Sequence, residues 1–120
     1  MGQKMNYLSF LQALKYDLSF SNNKFKSVKY FRRDIVSVFV WFLVLENKYA
    51  NTSAGVEEII QQIPHEYASR PKILKIINNA VDQNFFFKTN DSSDKRKFII
   101  EPTKQCMMEF EEWAQVFRGF

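Results

Sequence analysis

Cations and amides stand in this sequence where they could work together, and they set the chemistry to look for. Lys72, Lys75 and Asn79 recur at helical intervals, Ser69 and Arg70 precede them, and Lys95, Arg96 and Lys97 are consecutive further on. Ammonium and guanidinium groups neutralise phosphates, and an amide beside them can exchange hydrogen bonds with base edges. The plainer alternative is a solvated helix face for the first set and charges that keep a hairpin from aggregating for the second. Groups for bond-breaking chemistry are scarce. His65 beside Glu66 has no nucleophile, metal-ligating neighbour or Gly-rich phosphate loop to work with, and reads as a turn histidine. Cys106 is the only cysteine. It cannot form an intramolecular disulfide, and its place on an apolar stripe makes it a buried, inert thiol. Neither catalysis nor a metal or cofactor site is expected.

These side chains need elements to hold them. Only three Gly and three Pro punctuate 120 residues, so the elements should be long and mostly helical. Met5, Leu8, Leu11 and Leu14 predict a first helix over Lys4 to Tyr16, and the polar stretch Ser19 to Lys26 reads as a loop. The run Ile35 to Leu45 leaves almost no polar face. Its length favours a core helix over Arg33 to Lys48, with a strand as the alternative because of its β-branched content. Asn47 to Gly55 reads as a turn. Val56, Ile59, Ile60 and Ile63 then predict a short amphipathic helix stopped by Pro64.

The next helix carries the first basic set. Ser69 is placed to cap it with its hydroxyl, Pro71 fits its first turn, and Asn84 stands where a left-handed terminating residue is expected. Ile73, Leu74, Ile77, Ala80 and Val81 make its packing side, with Lys72, Lys75, Asn79 and Gln83 opposite. Phe85 to Thr89 and Lys97 to Glu101 predict a hairpin with a charged tip, Asn90 to Arg96. Pro102 is expected to end the second strand and open a last helix, Thr103 to Phe117, with Cys106, Phe110, Trp113 and Phe117 along one stripe. Phe110, Trp113 and Phe117 read as core or as a dimer surface. The fold class is mainly α with a small β-hairpin, in the order α-α-α-α-β-β-α. One domain is expected over residues 1–120, with helices to 54, the reading unit over 55–101 and the last helix over 102–120.

Charge is unevenly spread along the chain. The net charge is +4, but residues 1–34 carry seven Lys or Arg against two Asp, and residues 65–104 carry eight against five acids. The first block, Lys24, Lys26, Lys29, Arg32 and Arg33, could touch phosphates, meet an anionic partner or merely solubilise the apolar helix that follows. The apolar run is too short to span a membrane, for which about 20 residues are needed. No signal-like segment is read at the N-terminus, and with a lone cysteine the expected setting is the cytoplasm, away from membranes.

A short helix, a turn, a helix with a basic outer face and a hairpin with a basic tip form the winged helix-turn-helix arrangement. From about Val56 to Glu112 the chain resembles the MarR-type winged-helix transcription regulators. Ser69-Arg70-Pro71 is similar to the start of that family's recognition helix, Asp94-Lys95-Arg96 to its wing Asp-x-Arg signature, and Glu101-Pro102-Thr103 to the passage from wing to next helix. The resemblance implies that Ser69, Arg70, Lys72 and Lys75 contact DNA and that Arg96 enters the minor groove while Asp94 holds the wing loop by an ion pair. Asn84 stands where that family generally has Gly, the turn from Ile63 to Ser69 looks long, and one helix follows the wing. The expected activity is double-stranded DNA binding by a homodimer that regulates transcription, with no small-molecule effector identified. A winged-helix protein-interaction module docking through its aromatic last helix is the alternative.

Overall fold

A computed structural model of the chain describes residues 6–19 and 25–117. Six helices and a three-stranded sheet follow in the order α1 Tyr7–Ser19, α2 Lys26–Phe31, α3 Ile35–Tyr49, β1 Ala54–Gly55, α4 Val56–Gln62, α5 Arg70–Asp82, β2 Phe86–Asn90, β3 Phe98–Pro102 and α6 Lys104–Ala114. A short 3-10 turn, Gln115–Phe117, closes the described chain. No helix among the described residues is long and apolar enough to cross a membrane. The predicted order thus gains one helix and one strand.

The apolar run is the helix α3, not a strand. Asp34 caps it, its Oδ1 accepting from Ser37 N at 2.8 Å. Val36, Val40, Trp41, Val44 and Leu45 are buried, whereas Ile35 is 60% and Phe42 46% exposed. The run therefore has two faces that composition alone conceals.

α2 lies where the sequence pattern ended a loop at Lys26. Six residues bury too little to form a helix alone, since nucleation is costly and short helices are marginal in water. Its N-terminus has no side-chain cap. Tertiary contacts supply the stability instead: Phe31 is fully buried, its ring 4.9 Å from Phe86 and 5.7 Å from Trp41, and Ser27 donates from both N and Oγ to Glu109 Oε1. The predicted first helix also extends further, to Ser19; Lys4 and Met5 at its predicted start, and residues 20–24 of the predicted loop, fall outside the described residues.

The sheet has the order β1-β3-β2, all antiparallel. β1, only two residues long, falls in the segment expected to be a turn; pairing of Ala54 with Ile100 and of Gly55 with Ile99 creates it, and α3 runs on to Tyr49. Between α5 and β2 the chain turns through Asn84, at φ 67°. Phe85 N donates to Ala80 O at 2.9 Å and Asn84 N to Val81 O at 3.0 Å, the double closure that a left-handed residue permits. Two expectations about caps are corrected. Ser69 occupies the cap position of α5, but its hydroxyl makes no cap bond. Pro102 stays in β3, and Thr103 opens α6 by accepting from Cys106 N at 3.2 Å. Thr103 N also donates to Phe85 O at 2.9 Å and its Oγ1 to Asn84 O at 2.9 Å, so one residue ties the start of α6 to the end of α5.

One buried cluster runs from Val28 through Trp41, Ile59 and Ile77 to Cys106, with Phe110 and Trp113 packed against it. Trp113 and Phe110 lie 5.4 Å and 5.5 Å from Trp41, and Phe117 lies 5.2 Å from Trp113. Trp113 Nε1 donates to Asp17 at 2.8 Å, and Arg32 meets the same carboxylate at 2.9 Å, which anchors α1 to the body.

Candidate nucleic-acid interface

α5 is the element that carries the first basic set. It buries Ile73, Ile76, Ile77 and Ala80, and at about 100° per residue this places Lys75, Asn78 and Asp82 on the outward face. Lys72, Asn79 and Gln83 fall on one flank, and Arg70 and Leu74 on the other. The sequence pattern put Lys72, Lys75, Asn79 and Gln83 together opposite the packing side. The structure corrects this: Ile76, absent from the predicted packing set, is buried and rotates the outward centre towards Asn78.

Each flank has its own neighbours. On the first, Tyr30 Oη of α2 donates to Ile76 O at 2.8 Å, and the Asp34 carboxylate lies within electrostatic reach of Lys72. On the second, Arg70 makes a two-pronged ion pair with Glu57 of α4, Nη1 to Oε2 at 2.7 Å and Nη2 to Oε1. The guanidinium holds the Glu57 carboxyl below its usual range, and Glu57 in turn holds Arg70 above its own. Arg70 is therefore engaged, not freely extended.

The hairpin tip, residues 91–97, is ordered by its own acids. Asp91 accepts from Ser93 N at 2.9 Å and Oγ at 2.8 Å, and these bonds lower its pKa. Asp94 Oδ1 accepts from Arg96 N at 3.0 Å and meets Arg96 Nε at 3.4 Å, the ion pair that the resemblance implied. Asn90 Nδ2 donates to Lys95 O at 2.6 Å. The loop is thereby shaped while Lys95, Arg96 and Lys97 stay exposed, Arg96 with 93% of its side chain in solvent.

Wing and helix meet in one cleft of about 520 Å³ that Glu58, Gln61, Leu74, Asn78, Arg96 and Lys97 help to line. Lys88 of β2 bridges them directly, its Nζ donating to Asn78 Oδ1 at 2.9 Å and lying over the Phe98 ring. Asn78, Lys88 and Glu57 were not singled out in the sequence. Asn78 follows from the helical projection once Ile76 is known to be buried, but the partners of Lys88 and Glu57 are matters of tertiary contact. The structure thus brings Arg96 and Lys97 beside the Asn78 side of α5, and leaves Lys72 and Asn79 on the side facing α2. Ser69 is exposed at the head of the helix. Phe110 and Trp113 are partly buried against the core, beside Trp41. Among the described residues, no cluster of His, Cys, Asp or Glu could hold a metal ion.

Neither family models nor curated protein sequences match the chain. Solved structures do. The YusO protein from Bacillus subtilis aligns with 93% of this chain and 72% of its own at TM-score 0.56 and 19% identity. A variant of S. aureus MepR bound to an oligodeoxyribonucleotide aligns with 95% and 78% at TM-score 0.59 and 10% identity. The fold is that of the MarR-type winged-helix regulators. BldR, a transcriptional regulator from Sulfolobus solfataricus, shares this winged-helix fold over 96% of the chain at TM-score 0.51 and 13% identity. At these identities the likeness is one of fold, so the role of each side chain must be argued from its own surroundings.

Proposed function

We propose that this winged helix binds double-stranded DNA and regulates transcription, with α5 in the major groove and the wing at the adjacent minor groove. The observation that carries the reading is the ordered, cationic wing tip beside the Asn78 side of α5, with Lys75 next to Asn78 on the outward face of that helix. Lys75 and Asn78 stand centrally on the helix, where an ammonium and an amide would face base edges; Lys72 and Asn79 flank them. Arg96, exposed beside its Asp94 partner, supplies the cation for the narrow groove, and Lys95 and Lys97 meet phosphate. Arg70 and Ser69 lie at the entry of the helix, where Arg70 would exchange Glu57 for a phosphate. The DNA-bound MepR neighbour has the same fold. Homodimerisation belongs to the proposal, because paired subunits would match two half-sites. The exposed apolar row Tyr7, Leu8, Leu11 and Leu18 on α1 supports it.

Fluorescence anisotropy on labelled duplexes across a salt series tests the reading. Replacing Lys75 or Arg96 by Ala should weaken binding, and replacing Lys95 or Lys97 by Ala should flatten the dependence of log affinity on log salt by about 0.9 for each phosphate no longer neutralised. Absence of binding by the intact chain at low salt defeats it. Sedimentation checks the dimer.

A further inference from the structure

The basic segment at α2 is not used by the interface described so far. Lys26, Lys29 and Arg33, with Tyr30, Gln83 and Phe85, line an open cleft of about 510 Å³ at the end of α5. We propose that α2 is a second clamp on the sugar-phosphate backbone: Lys26 and Lys29, with Arg33 at the following turn, bind phosphates of the duplex that flanks the bases beneath α5. The inference rests on the DNA-binding reading and extends its footprint.

Three observations carry it. The first is position. Tyr30 joins α2 to the flank of α5 by its bond to Ile76 O, and Gln83 on that same flank closes the cleft. The cations of α2 therefore continue the surface on which Lys72 and Asn79 lie.

The second is the disposition of charge. Every described carboxylate beside α2 is directed at a partner within the protein. Asp17 takes Arg32 and Trp113, Glu109 takes Ser27 and Gln105, and Asp34 takes Ser37 N and, at 3.7 Å, Arg33 Nε. Lys26, Lys29 and Arg33 are exposed on the outer side of the same segment. Arg33 is shared with Asp34, and Lys26 and Lys29 add positive charge along the cleft, the arrangement that attracts a polyanion.

The third is rigidity. The inner side of α2, Ser27, Val28 and Phe31, is buried, so the cations stand on a fixed base. The Arg33 guanidinium is held over the Tyr30 ring at 4.4 Å, its Nε donating to Ser37 Oγ at 3.4 Å beside Asp34, so the group is fixed in place and would exchange Asp34 for a phosphate. Continuity with the α5 flank favours a duplex over an acidic protein as the partner.

The test uses the full chain and two fluorescein-labelled duplexes, one long and one trimmed to the segment under α5 and the wing, with polyglutamate as competitor. On the long duplex, Lys26→Ala combined with Lys29→Ala should flatten the salt slope by about 1.8, two phosphates at about 0.9 each. On the trimmed duplex the variant should match the intact chain, and the double Arg replacement should restore the slope. Both Lys are exposed, so unchanged thermal unfolding will confirm that the variants fold. An unchanged slope on the long duplex overturns the clamp and leaves the DNA-binding reading standing. Equal losses on the two duplexes, or displacement of the duplex by polyglutamate through Lys26 and Lys29, also overturn it. Failure of the intact chain to bind any duplex overturns both.

Discussion

Replacing Phe31 by Ala is the sharpest perturbation of this fold, because one ring joins three elements. Phe31 has no exposed surface, and its ring sits 4.9 Å from Phe86, 5.7 Å from Trp41 and 6.2 Å from Phe85. Removing a buried Phe ring costs about 3–5 kcal/mol in forfeited transfer free energy and residual cavity. We take about 4 kcal/mol, a large share of the roughly 5–15 kcal/mol that holds a domain folded. With an unfolding entropy of about 2.1 cal/mol/K per residue, 120 residues give about 0.25 kcal/mol/K, so Tm should fall by about 16 °C. Thermal unfolding followed by far-ultraviolet circular dichroism reads this directly. Met108, 53% exposed on α6, serves as control, and its Ala variant should stay within about 0.5 kcal/mol of the intact chain. A Tm shift for Phe31→Ala no larger than that of the control would refute the reasoning, since α2 would then not be docked on the core. The same result would remove the fixed base on which Lys26 and Lys29 stand.

Other consequences follow from single residues. Burial raises the Asp34 carboxyl, but its hydrogen bonds from Ser37 and the nearby Lys72 and Arg33 outweigh this, so its folded pKa lies below the unfolded value. Its share of stability is accordingly present above the ordinary carboxylate pKa of about 3.9 and is lost as pH falls through the lower folded value. Asp34→Asn keeps a capping side chain but removes the charge, so in urea titrations it should lower neutral stability by about as much as it reduces the acid sensitivity below about pH 4; an unaltered acid limb contradicts the assignment. Burial, followed by the charge of Glu109, pushes the Cys106 thiol up to about 12, so an aromatic disulfide reagent at mildly alkaline pH should label it only after unfolding, and fast labelling of the native chain would show the thiol to be accessible. Asn84, at φ 67°, should tolerate Gly with little change, whereas Val should cost about 1–2 kcal/mol for its left-handed backbone; equal stability of the two variants would exclude the strained turn.

Local pattern determined much of this protein. The stripe of Val56, Ile59, Ile60 and Ile63, the helix that runs to Asn84, the hairpin with its charged tip and the terminal stripe from Cys106 to Trp113 all follow from short-range periodicity and turn chemistry, because each element buries a face that recurs within its own sequence. The winged-helix architecture was legible for that reason. So was the cationic character of the interface, since the identities of Lys75 and Arg96 do not depend on packing.

What tertiary structure alone decided lies in contacts between distant residues. α2 exists because Phe31 finds Trp41 and Phe86 and because Ser27 finds Glu109; its own six residues carry no sufficient signal. β1 exists because β3 offers it an edge. Burial of Ile76 turned the face of α5, moving Asn79 to a flank and Asn78 to the front, and no periodicity could reveal that Glu57 would occupy Arg70 or that Lys88 would reach Asn78. Helical and strand repeats are written into neighbouring residues, whereas the neighbours of a face are set by the whole fold, and that difference separates what the chain declares from what its packing chooses.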